Sequence, residues 1–198
     1  LKIRTEDLEK FLGGVTYKDA IKGALSSLKT AVEFYDQGRF QEASLYASRA
    51  SMAANVIQMA YTAVALSRIK PDSEEYKSLK LGVERAFDIS MDDSTFKVWF
   101  NERLGNSIAS LAAASRYIRD GDYDAASIVM NIAQTGFNVL TAGITIGSLI
   151  RRDELALRRE TLTATETSAL KSLEGLLGKE LKIRTEDLEK FLGGVTYK

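Results

Sequence analysis

This sequence predicts an all-α fold, a helical bundle built from two pseudo-symmetric long hairpins plus short terminal helices, on three observations. Its 198 residues hold one proline, Pro71, so long stretches run without a helix breaker. Apolar residues recur at steps of three and four, the period of a helix that buries one side. The chain also repeats itself, because the segment from Ala24 to Leu66 lies without a gap on the segment from Ser107 to Leu149, 83 positions on. Ser27/Ser110, Leu28/Leu111, Ala31/Ala114, Gly38/Gly121, Ala43/Ala126 and Asn55/Asn138 are identical in that alignment.

The elements follow in order. Thr16 and Asp19 make a T-x-x-D capping box, and Ile21, Leu25, Leu28, Val32 and Tyr35 follow at helical spacing, predicting a helix from Tyr17 to Gln37. Gly38 is placed to end it in the left-handed conformation, and a second helix runs from Phe40 to about Arg68. "KPDSEE" is a linker and cap for a third helix, Ser73 to Asp88, and "DISMDDS" is the next break, with a cap at Asp93 or Ser94. From Thr95 the pattern restarts: a helix to Asp120, the turn at Gly121, and a long helix from Tyr123 that continues into "RRDELALRRE". The hairpin copies thus span about 17–68 and 95–151, packed face to face about an approximate two-fold axis within one domain, 1–198. Asn55 and Asn138 are expected to be buried amides near that axis. Short helices are expected after a Thr163/Glu166 capping box and inside each terminal segment.

The turn carries a signature, G-x-[FY]-x-x-A-S with a small residue seven before the glycine and an aromatic four before it. It reads Ala31, Phe34, Gly38, Phe40, Ala43 and again Ala114, Tyr117, Gly121, Tyr123, Ala126. Small residues let two antiparallel helices approach, aromatics fill the space beside them, and glycine turns the corner. The pattern resembles the tetratricopeptide hairpin, and the same hairpin occurs in HEPN domains. Here the spacing is 83 rather than 34 residues, and no proline closes the unit. For HEPN nucleases the resemblance implies an arginine followed by histidine as the catalytic pair, and this chain has no histidine. A binding role survives that comparison; a nuclease role does not.

Composition excludes more chemistry than it suggests. Twenty-seven basic residues balance twenty-seven acidic ones, so no global field draws the chain to nucleic acid or an anionic membrane. Without cysteine or histidine it lacks thiol nucleophiles, thiolate metal ligands and the commonest general base. No enzyme activity, metal or cofactor is expected. "GLLGKE" lacks the spacing and the hydroxyl of a phosphate loop. Arg151, Arg152, Arg158 and Arg159 form a candidate anion contact, but Asp153, Glu154 and Glu160 interleave with them, as on a solvated helix face. Asp92, Asp93, Asp120, Asp122 and Asp124 read as caps and turns rather than a calcium loop. The charge-free run Ala125 to Ile150, with Gly143-x-x-x-Gly147, is long enough to span a bilayer, yet its polar residues favour a helix buried on nearly all sides in a soluble core.

The ends remain. "LKIRTEDLEKFLGGVTYK" occupies Leu1–Lys18 and again Leu181–Lys198 without a difference. Each copy offers an apolar face, Leu8, Phe11 and Leu12 or Leu188, Phe191 and Leu192, as a candidate interface. Eighteen identities point to engineered duplication, circular permutation with overlap, or head-to-tail exchange between molecules, and the two copies are expected to compete for one groove. The function expected is a non-catalytic protein interaction or assembly module, self-associating and cytoplasmic. A HEPN-like nucleic-acid-associated protein without nuclease activity is the alternative, and a membrane- or envelope-associated subunit the second.

Overall fold

The computed structural model describes residues 2–159, with side chains to residue 154. Among them are six helices and no strand: α1 (Thr5–Glu9), α2 (Tyr17–Asp36), α3 (Phe40–Ser67), α4 (Glu74–Phe87), α5 (Asp93–Arg119) and α6 (Tyr123–Arg159). The all-α bundle is as expected, and the main boundaries fall within a residue or two of the sequence reading. The helix expected after Thr163 lies outside the described residues, as do Leu188, Phe191 and Leu192.

Local chemistry sets the ends. The Thr16 hydroxyl accepts from the Asp19 amide at 3.1 Å, the Ser73 hydroxyl from that of Tyr76, and Asp92 Oδ1 from that of Thr95 at 2.7 Å. Asp92, rather than Asp93 or Ser94, therefore caps α5, and Asp122 caps α6 by accepting from Ala125. At the hairpin corners Gly38 and Gly121 have φ of +74° and +79°. Their hydrogen bonds repeat as well: Gly38 N donates to Tyr35 O and Arg39 N to Phe34 O, while Gly121 N donates to Ile118 O and Asp122 N to Tyr117 O. That pair of bonds closes a helix only when the first donor is left-handed. Gly38→Val or Gly121→Val is expected to lose about 1–2 kcal/mol or more, because a β-branched side chain is strained there. Equal melting temperatures for parent and variants would contradict this.

The hairpins recur, but they are not related by a two-fold axis. α3 packs against both α5 and α6, whereas α2 touches α5 only slightly and has no comparable packing on α6. The units stack in sequence, the second helix of one against the first helix of the next. The repeat is also larger than a hairpin. α1 precedes the first and packs on α3; α4 precedes the second and packs on α6. Arg68, near the end of α3, pairs with Asp7 of α1 at 2.9 Å, and Arg151, 83 residues on, pairs with Glu74 of α4.

Between α4 and α6 the backbones nearly touch. A methyl group on Gly147 would collide with the Ser78 carbonyl, and one on Gly82 with the Gly143 carbonyl. Gly143-x-x-x-Gly147 thus mates α6 with α4, the close approach for which this spacing is used in membranes. Among the described residues no helix is long and apolar enough to cross a membrane. Tyr76 of α4 packs edge-on against Phe96 and Phe100 of α5, with ring centroids 4.9 and 5.8 Å apart. Leu79, Leu104, Leu111, Phe137 and Leu140 belong to the same buried cluster as these rings.

Candidate functional site

Two features of the surface and its filling stand out, the seat of the first terminal segment and the outer face of α2. The first copy of the repeated segment is built into the core. Leu8 and Leu12 are fully buried, Val15 is buried, and Phe11 packs against the cluster with part of its ring exposed. Full burial of a leucine contributes about 1.5–3 kcal/mol, so these two anchor the segment. The chain reverses at Gly13, φ +60°, where it passes close to Ala112 O and the Arg116 guanidinium of α5. Tyr17 N donates to Glu9 Oε1 at 2.9 Å and so ties α1 to the start of α2. The first copy's candidate interface is therefore an internal seat on α3 and α5 rather than an open surface.

Asp7 fastens that seat. It accepts from Arg4 N at 3.0 Å and from Arg68 at 2.9 Å. The Arg4 amide chiefly, then Arg68 working against desolvation, holds its carboxyl below the usual value. Because the folded value is the lower one, the contribution is whole above the unfolded value of about 3.9 and is lost as pH falls through the folded one. Thermal melts from neutral pH downward are expected to show stability falling below about pH 4, with that fall reduced in Asp7→Asn. An unchanged acid limb in the variant would contradict the role.

The face of α2 is the larger surprise. Leu25, Leu28, Val32 and Tyr35, the stripe that reads as the buried side, are 59, 50, 50 and 64% exposed. α2 instead meets α3 through a neighbouring stripe of small residues that includes Ala31, with Phe34 against Tyr46 at 5.5 Å. Phe40, 62% exposed, adds its ring edge-on to Tyr35 at 5.5 Å. The result is an apolar groove lined by Leu28, Val32, Tyr35, Phe40, Ala43 and Ala47. Ala31 was the available signal: a small residue admits a neighbouring helix, so the bulky stripe beside it faces elsewhere.

α6 also departs from expectation. It is not enclosed on nearly all sides: Ile128, Ile132, Val139 and Ile146 lie exposed along one face. Asn55 and Asn138 are exposed too and line a shallow polar groove between α3 and α6 together with Gln58 and Gln134. The amides are thus open to solvent rather than buried against a partner.

The described part of the basic cluster is engaged within the molecule. Arg151 donates to the Glu74 carbonyl at 3.1 Å and to the Ser78 hydroxyl at 3.3 Å, and also pairs with the Glu74 carboxylate. Arg152 has interactions of its own, and the side chains of Arg158 and Arg159 lie outside the described residues. Arg49 lies between the rings of Tyr46 and Tyr123, at 4.9 and 4.7 Å, with its Nε buried. Among the described residues no group of three or more acidic side chains is gathered to hold a metal ion. No family model matches the chain, and neither a curated protein nor a solved structure matches it.

Proposed function

We propose that this chain is a non-catalytic, all-α interaction and assembly module that associates with copies of itself. The observation that carries this reading is the bare apolar face of α2, where four large side chains at helical spacing stand half or more exposed. Isolated exposed apolar residues are ordinary, but a contiguous stripe beside an apolar groove marks a surface that another helix covers. The tetratricopeptide-like turn fits such a role, since hairpins of this kind present helix faces to partners. The engagement of Arg151 by Glu74 and Ser78 speaks against the phosphate-binding alternative.

Sedimentation velocity over a dilution series tests the proposal. The sedimentation coefficient is expected to rise with concentration and to change little between low and high salt, as apolar association should. A 21.8 kDa monomer at every concentration would overturn it.

A further inference from the structure

We infer that one molecule stacks on the next head to tail, the α6 face of one copy covering the α2 face of its neighbour. This rests on the self-association reading above and names its geometry. Inside the molecule the two repeat units meet where α3 lies against α5. On the α3 side Val56 lines a cavity shared with Ser115 and Ile118 of α5, Ala63 is buried, and Arg49 reaches the ring of Tyr123 at the start of α6. On the α5 side Ser115 and Ile118 line that cavity and Ile108 and Leu111 continue the same face of the helix, with Leu111 and Ser115 buried and the two isoleucines half-buried.

Moving each side by the 83-residue repeat gives the two ends of the stack. Arg49, Val56 and Ala63 become Ile132, Val139 and Ile146 on α6, which are 54, 49 and 51% exposed. Ile108, Leu111, Ser115 and Ile118 become Leu25, Leu28, Val32 and Tyr35 on α2, the exposed stripe already described. Each surface that the repeat uses internally thus has a bare counterpart, one at either end. The counterparts are more apolar than the originals: Ile132 stands in for Arg49, and Val32 for Ser115. The α6 face lies in a run with no charged residue from Ala125 to Ile150, so docking there desolvates no ion.

Such an interface is heterologous. Two different faces meet, so each added molecule leaves one of each kind free, and assembly grows into chains or closes into rings. Repeat proteins ordinarily cap such ends with polar residues; the described part of this chain has apolar ones.

Val32→Asp and Val139→Asp test this by complementation. Both sites are half exposed, so the variants are expected to keep their helix content and melting temperature; Val32→Ser and Val139→Ser form a milder pair with the same pattern. By sedimentation velocity the parent is expected to form concentration-dependent oligomers and each variant alone to stay monomeric. An equimolar mixture should stop at a one-to-one dimer of twice the monomer mass, because one variant keeps its α6 face and the other its α2 face. If Val139→Asp alone still dimerised, α2 would pair with α2, and the head-to-tail geometry would be overturned while self-association stood. A mixture that stayed monomeric beside an associating parent would have the same meaning. A parent monomeric at all concentrations would overturn both.

Discussion

Replacing Leu12 and Leu192 together by alanine is expected to lower stability by about 2–5 kcal/mol, the range for emptying a buried leucine site. Leu192→Ala alone is expected to leave the melting temperature nearly unchanged. The reason lies in the seat on α3 and α5: Leu12 is wholly buried there, beside Leu8 and over the turn at Gly13. Two identical segments have identical chemistry for one groove, and the first copy already fills it. Leu12→Ala alone should fall between the two, since the groove can exchange a damaged copy for an intact one. The readout is the melting temperature of the three variants, with light scattering to detect exchange between molecules. Equal losses for the two single variants would show that each copy has a seat of its own and would end the competition idea.

Gly147→Ala is expected to destabilise by about 1–3 kcal/mol, as overpacking does, while Gly105→Ala stabilises by about 0.5–1 kcal/mol. Both substitutions put the same methyl group into a helix interior. At Gly147 it meets the Ser78 backbone of α4, which cannot turn aside as a long side chain could. At Gly105 it meets nothing, and only the helix propensity gain remains. Urea melts of the two proteins compare them directly. A neutral or stabilised Gly147→Ala would mean that α4 and α6 do not approach as described.

The same contrast shows what the sequence made legible. Helix boundaries were legible because local chemistry sets them: Thr16 and Ser73 close their own first turns, Gly38 and Gly121 close the last ones, and only at α5 did a run of neighbouring cap formers put the expected cap one or two residues past Asp92. Both hairpins were legible through identities that composition does not explain. The arrangement between them was not, because it depends on which of two adjacent stripes on α2 meets α3. Leu25, Leu28, Val32 and Tyr35 outweigh Ala31 in hydrophobicity, yet Ala31 is the residue that is buried, because helix axes come close only over small side chains. Gly143 and Gly147 had two meanings by sequence, and only Ser78 and Gly82 opposite them decide between a bilayer and a helix of the same chain. Asp7 with Arg68 and Glu74 with Arg151 reveal that the repeat extends to the short helices; their spacing within each unit differs, so no gapless alignment could show it.

The central claim is that another molecule covers the α2 face, and thiol accessibility measures it most directly. The chain has no cysteine, so Leu28→Cys places a single thiol on the stripe, and Glu102→Cys places one at an exposed control position on α5. Maleimide labelling at position 28 is expected to proceed freely in dilute protein and to slow several-fold as concentration rises, while labelling at position 102 does not change. A rate at position 28 that is independent of concentration and equal to the control would contradict the account.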